Sequence, residues 1–273
     1  MSPIDLPDGA CDCHMHFYAP GDRTSSAATG GFDLPPADVG GYRAVLRRLG
    51  LSRFVAVQSI TYGADNRIME DAVAQFGDAA RMVVVVPADA NARSIRAFDD
   101  RGGRGVRAYM LQGGHYRWDQ LQDIGRLIEP FGWHLQVQLD GRALTDVEAL
   151  LRKLPCDLVI DHVGKFLEPV DEDSEAFRSL LRLLDTGRVW VKLSAPYETS
   201  RSGPPLYEDV SRLARALVAH APERLVWATN FPHPGRRERP DDLSLLELLE
   251  RWAPDRTVRE RILKENPEKL YRF

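Results

Sequence analysis

The sequence predicts a single (β/α)8 barrel over residues 1–273. Three observations lead there. Short apolar runs alternate with longer amphipathic segments along the whole chain, which is the pattern of parallel strands joined by helical crossovers. Eight such runs occur, and 273 residues suit eight strand–helix units closed on themselves. The main rival, a doubly wound open sheet, usually brings a glycine-rich phosphate loop after its first strand, and none follows Phe17.

The first strand, residues 10–17, carries Asp12, His14 and His16 at alternate positions. Alternate residues of a strand share a face, so all three are expected to point the same way. Cys11 and Cys13 are then expected on the outer face as small apolar residues, with metal ligation as the alternative. Residues 21–36, rich in Gly, Ser, Ala and Pro, are expected at the C-terminal face, where barrel enzymes keep their active sites. The second strand, 53–59, ends in Gln58 and Ser59, candidate binders of a substrate hydroxyl. A helix over 66–76 and a third strand over 81–87 follow.

The fourth strand, 105–110, holds Arg107 among apolar neighbours. A guanidinium fork pairs with both oxygens of a carboxylate, so Arg107 is a candidate anion contact. After a helix over 119–129, the fifth strand, 134–139, starts at His134, the wrong end for catalysis, and continues to Gln136 and Gln138, the latter a candidate substrate contact. A helix over 143–153 leads to the sixth strand, 157–162, which ends in Asp161-His162 with Lys165 just beyond. A helix over 174–185 leads to the seventh, 189–194, with Tyr197 after it as a hydroxyl binder. A helix over 207–220 precedes the eighth strand, 224–230. That strand ends at Asn230, followed by Phe231-Pro232-His233 and a basic, proline-rich stretch, 232–240, with Arg236, Arg237 and Arg239. His233 joins the expected substrate contacts.

Composition narrows the function class. A net charge of −4 gives no reason to expect nucleic acid or an anionic membrane surface. No apolar run has the length of a membrane span, and residues 1–9 lack the features of a signal peptide. Three cysteines, an odd and small number, fit a reducing cytoplasm better than a disulfide framework. Oligomeric state is not legible.

His14-Met15-His16, Asp161-His162 and the polar end of the eighth strand resemble the amidohydrolase superfamily. The stretch from His220-Ala221-Pro222-Glu223-Arg224 to Thr229-Asn230-Phe231-Pro232-His233, and the closing Glu265-Asn266-Pro267-Glu268-Lys269-Leu270, are typical of its amidohydrolase-related (family 2) branch. Asp161-His162-Val163-Gly164-Lys165-Phe166 and Tyr197-Glu198-Thr199-Ser200 look most like the lactone isomerases of that branch. The resemblance covers essentially the whole chain. It implies an enzyme acting on a small anionic lactone without a metal cofactor. Metal-dependent members end the eighth strand with Asp; Asn230 stands here, as in the isomerases, while His14 is kept as in the lactonases.

A single zinc on His14, His16 and His162 is chemically allowed, since three His plus water form a known set. The acidic fourth ligand and the bridging lysine of a two-metal site are missing, so no cofactor is expected. An amide cannot act as a general base. The expected reaction is therefore ring migration, in which a substrate hydroxyl attacks its own acyl carbon, and the resemblance implies a galactarolactone-type ring. His14, His16, His162 and Asn230 are the expected catalytic groups. Arg107, Lys165, Tyr197, Gln58, Ser59, Gln138 and His233 are the expected substrate contacts. Hydrolysis of a carboxylated lactone such as 2-pyrone-4,6-dicarboxylate stays open as the alternative, and a non-catalytic sugar-acid-binding barrel as a third.

Overall fold

Runs such as Val-Trp-Val-Lys-Leu become strands because both of their faces are buried, one against helices and one against the barrel axis. A computed structural model describes residues 5–19, 34–87, 89–236 and 238–273. Its strands are β1 (Cys11–Met15), β2 (Arg53–Val57), β3 (Ala80–Val84), β4 (Gly103–Tyr109), β5 (His134–Gln138), β6 (Asp157–Ile160), β7 (Val189–Leu193) and β8 (Leu225–Trp227). They are all parallel and stand in sequence order around the ring. The ring closes where Asn230 N donates to His14 O at 2.9 Å and His16 N donates to Phe231 O at 2.8 Å. This is the (β/α)8 barrel that the alternation of runs predicts.

The helices between strands are α1 (Val39–Leu49), α2 (Arg67–Val73), α3 (Ala92–Asp99), α4 (Leu121–Ile128), α5 (Leu144–Leu151), α6 (Glu175–Leu184) and α7 (Glu208–His220). After β8 come α8 (Asp242–Trp252), α9 (Arg256–Glu260) and α10 (Asn266–Tyr271). In α6, Phe177, Leu180, Leu183 and Leu184 fall on one stripe and are all buried, worth about 1.5–3 kcal/mol each. Ser174 starts that helix by accepting from Phe177 N. Between helices and sheet lies the larger core, with Phe54, Val106, Leu158, Leu193 and Trp227. Inside the barrel lies a smaller one, with Val55, Val83, Val159, Trp190 and Val226, plugged from below by Leu270 and Tyr271 of α10. None of the described helices is long and apolar enough to cross a membrane.

Strand β1 departs from simple alternation. Its pairing runs Asp12 to Phe54 and then Met15 to Ala56, three steps against two, so a bulge sits at Cys13–His14. Two expectations change as a result. Cys11 and Cys13 face the barrel interior with Val55 and Trp190, not the outer face. Asp12 points away from His14 and His16. It accepts from Tyr42 Oη of α1 at 2.9 Å, from Thr229 N at 3.0 Å and from Thr229 Oγ1 at 2.5 Å, and so seals the seam between β1 and β8. With His14 N donating at 3.1 Å as well, four hydrogen bonds favour its charge, but burial outweighs them and raises its carboxyl to about 6. All three cysteines are free and buried.

Candidate active site

The C-terminal ends of the strands surround a cavity of about 470 Å3. His16, Ser59, Arg107, Gln138, His162, Lys165 and Asn230 all reach its wall, so seven of the expected side chains converge. Tyr18, Thr61, Tyr109, Glu198 and Arg236 complete its polar lining. His14 lies beneath, with its ring 4.9 Å from those of His16 and His162. Of the irregular stretches, residues 232–240 do lie at this mouth through Pro234, Gly235 and Arg236, with Arg237 outside the described residues. The stretch 21–36 falls outside them too, except for 34–36, of which Leu34 lines the cavity.

Backbone strain gathers around this cavity. His162, Val163, Gly164 and Lys165 have φ of 55°, 56°, 86° and 47°, a left-handed turn of four residues. For the three that are not glycine this costs on the order of 1–2 kcal/mol each. Ala195 after β7 and Asn230 and His233 after β8 also have positive φ. The left-handed turn is what brings His162 and Lys165, three residues apart, to the same wall.

The histidines form a graded set. His16 Nδ1 lies 2.7 Å from the Val57 carbonyl and so carries the proton, leaving its Nε2 as an acceptor. His14 Nε2 stands 3.2 Å from that atom, which selects the Nε2–H form of His14. The bare Nδ1 of His14 then faces Lys192 Nζ and Gln136 Nε2, each at 3.4 Å. His162 Nδ1 meets Ser194 Oγ at 2.8 Å. Burial first, and nearby cations second, hold the His14 ring well below the ordinary histidine range and His16 at about 3; burial likewise holds His162 well below that range, although the Asp161 carboxylate opposes it. All three rings are neutral at pH 7.

Below them lies a buried ionic cluster. Gln136 Nε2 donates to both Asp161 oxygens, at 3.0 and 3.1 Å, and its own oxygen accepts from Lys192 Nζ at 2.7 Å. Lys192 also donates to the Cys13 carbonyl at 2.8 Å, at the β1 bulge. Burial opposes the charge on Asp161, but Lys192 foremost, with Arg107 and the Gln136 hydrogen bonds, outweighs it and keeps the carboxyl below its usual range. Burial brings Lys192 down to about 8. His14, Asp161 and His162 offer ligand atoms that all lie within 4.8 Å of one another, so the metal-capable group among the described residues contains Asp161 and not His16.

At the rim, one hydrogen-bond chain fixes Asn230. Asp242 of α8 accepts from His233 Nε2 at 3.0 Å, so His233 Nδ1 accepts from Tyr197 Oη at 2.9 Å. Tyr197 Oη then accepts from Asn230 Nδ2 at 2.9 Å, and the second Asn230 N–H goes to Glu198 Oε1 at 3.0 Å. Both amide hydrogens are used, so Asn230 presents its oxygen to the cavity. Glu198 also pairs with Lys165 Nζ. Arg107 donates to the Gln58 carbonyl and to Gln138 Oε1, each at 2.7 Å, while its buried Nε–H lacks a partner.

Three expected contacts stand behind the wall. Gln58 spends its side-chain amide on the Gly63 and Asp65 carbonyls, at 3.0 and 2.7 Å. Tyr197 and His233 belong to the chain that orients Asn230. Sequence reasoning passed over Lys192, Glu198 and Asp242. Lys192 left a signal, a charged residue at an inward position of a strand buried on both faces. Glu198 left only its place in the Tyr197-Glu198-Thr199-Ser200 segment, and Asp242 left none.

A family model described as amidohydrolase matches residues 11–273. D-galactarolactone isomerase of Agrobacterium fabrum is 38% identical over 98% of this chain and 92% of its own length. A 2-pyrone-4,6-dicarboxylate hydrolase of Comamonas testosteroni is 32% identical over 97% of this chain and 91% of its own. A crystal structure of an Agrobacterium tumefaciens protein in its apo form superposes with a TM-score of 0.91 at 35% identity, covering 100% of this chain and 99% of that one.

Proposed function

The chain belongs to the amidohydrolase family, and on that premise we propose that it is a lactone isomerase moving the acyl bond of a small carboxylated sugar-acid lactone from one hydroxyl to another. The observation that carries this reading is the fixed amide of Asn230. Hydrolysis of a lactone needs a base to take a proton from water, and an amide oxygen at the end of β8 is not basic enough. Ring migration needs no water, because the attacking hydroxyl is already tethered to the acyl carbon, and proximity replaces a bimolecular encounter.

Arg107, at the cavity wall and held by one hydrogen bond from each Nη group so that each keeps a second N–H, is the proposed carboxylate contact. His16 and His162, neutral and at the wall, face the acyl group, and the Asn230 oxygen accepts from a substrate hydroxyl beside the attacking one and so orients the ring. We propose that no metal takes part. Of the atoms in the metal-capable group, the Asp161 carboxylate already accepts two hydrogen bonds from Gln136 and lies 3.8 Å from Lys192 Nζ. The field of Lys192, Arg107 and Lys165 that disfavours a proton on His14 disfavours a dication as well. We also place the protein in the cytoplasm, where buried free thiols stay reduced, with a small molecule and no nucleic acid as its partner.

Lactone hydrolysis is the second reading, favoured by the intact His14–His16 pair and by the 32% identical hydrolase. Proton NMR of the protein with galactarolactone and 2-pyrone-4,6-dicarboxylate separates the two, with a migrated ring expected for the first. Turnover is expected to survive exhaustive chelation. Ring opening, or activity lost on chelation and restored by zinc, sinks the corresponding part of the proposal.

A further inference from the structure

Ring migration leaves one task unassigned: a proton must leave the attacking hydroxyl and another must reach the departing ring oxygen. Most of the cavity wall is unsuited to it. His16 has both ring nitrogens engaged, by the Val57 carbonyl and by His14. His162 has one nitrogen on Ser194, and burial works against its taking a proton, with Lys165 and Arg107 adding to it and Asp161 only partly opposing. Asn230 is an amide, and Arg107 does not release a proton in proteins.

Two groups remain, and they touch. Glu198 is the one carboxylate among the described residues lining the cavity. Its Oε1 receives the Asn230 amide at 3.0 Å and its Oε2 receives Lys165 Nζ. The two side chains are 16% and 9% exposed, so both are largely shielded yet open to the cavity. Lys165 is delivered by the strained left-handed turn and Glu198 by the turn that starts at left-handed Ala195. Two costly backbone conformations thus serve to bring one acid–base pair together at the mouth.

We infer that Glu198 and Lys165 are the proton-transfer pair of the ring migration, an inference that rests on the isomerase reading above. Glu198 accepts the proton of the attacking hydroxyl as its oxygen bonds to the acyl carbon. The acyl bond to the old ring oxygen breaks as the Lys165 ammonium protonates that oxygen. The proton on Glu198 then crosses its hydrogen bond to Lys165, which restores both groups. No water, oxidant or net proton is consumed. Burial lowers the Lys165 ammonium to about 7, with Asp161 opposing and Arg107 and Arg236 adding to it, and the contact with Glu198 gives its proton a partner to exchange with.

The test measures ring migration of galactarolactone by proton NMR and its binding by calorimetry. Glu198→Gln is expected to lower kcat by roughly 10²–10⁴-fold, the usual range for losing one general base, with Kd changed by less than about threefold. Lys165→Met should lower kcat comparably. Lys165→Arg should not rescue it, because the charge is kept but the proton is not released. Parent-like kcat in Glu198→Gln, or in Lys165→Arg, overturns the assignment and leaves the isomerase reading intact. Ring opening by the parent itself overturns both. Should Glu198→Gln fail to fold, the two Lys165 variants read the same step.

Discussion

The floor and the mouth of this barrel each hold a buried histidine, on neighbouring strands, and the two have opposite surroundings. His134 opens β5 at the floor, 1% exposed, with its ring 5.3 Å from that of Tyr271 and neither ring nitrogen hydrogen-bonded. The Tyr271 hydroxyl beside it is unpartnered too. His162 follows β6 at the mouth, 4% exposed, with one nitrogen on Ser194 and the ring against a cavity. Around His162 the backbone is strained and the polar atoms are wired into chains; around His134 the strand is regular and the polar atoms are orphans. Residue type and burial are therefore poor guides to function. Position along the strand, and whether neighbours hold the ring in one orientation, separate an active-site group from a tolerated one.

The largest expected effect comes from breaking the wiring beneath the mouth. Lys192→Met leaves the Gln136 oxygen and the Cys13 carbonyl without their shared donor and Asp161 without the cation 3.8 Å away. Removing one partner of a buried ionic cluster costs about 3–5 kcal/mol. Denaturant unfolding at pH 7 should show that loss. A change within about 1 kcal/mol would mean that the cluster under the mouth is as dispensable as the orphans at the floor, and the contrast would fail.

Much of this contrast was legible in the sequence. The alternation of apolar runs located all eight strands, and strand ends picked out Arg107, His162 and Asn230 as one constellation. Side-chain direction was less legible in β1, because a one-residue bulge reverses the parity on which face assignments depend, and nothing in Cys-Asp-Cys-His-Met announces it. Contacts made across the barrel were not legible at all. Asp242 reaches Asn230 only through His233 and Tyr197, a route set by where α8 packs. Glu198 becomes notable only once the turn after β7 sets it beside Lys165.

A smaller effect sharpens the reading of the mouth. Asn230→Asp puts a carboxylate where the hydrolytic alternative wants its base, yet its neighbour Glu198 Oε1 now sits 3.0 Å from the amide. Two carboxylates at that range cannot both ionise freely, and one is driven to hold a proton. The single variant should therefore raise the ratio of open-chain acid to migrated lactone only modestly, about tenfold, or 1.4 kcal/mol. Adding Glu198→Gln should raise it further, by relieving the repulsion and removing the proposed migration base together. The ratio is read by proton NMR. An unchanged ratio in both variants would mean that the residue ending β8 does not decide between opening and migration.

The smallest expected effect at neutral pH belongs to the floor. His134→Phe exchanges one flat ring for another of similar size beside Tyr271 and removes two unpartnered nitrogens, so stability at pH 7 should shift by less than about 1.5 kcal/mol. The informative readout is its pH dependence. Burial, with Lys192 adding to it, lowers the His134 pKa from the ordinary 6.5 to about 3. A depressed pKa means that the unfolded chain takes up a proton below 6.5 while the folded one does not until about 3. The neutral ring is therefore harmless above pH 6.5, and stability is lost as pH falls through that window, by up to roughly 1.4 kcal/mol per pH unit. Asp12, raised to about 6, acts in the opposite sense, contributing below its unfolded range and losing that contribution as pH rises through 6. His16, lowered to about 3, acts in the same sense as His134, and neither is touched by the substitution. Urea midpoints at pH 7 and pH 4.5 should therefore lie closer together in His134→Phe than in the parent. Equal gaps would show that His134 is solvated or partnered at the floor after all, and the difference between the two histidines would then rest on the strained backbone alone.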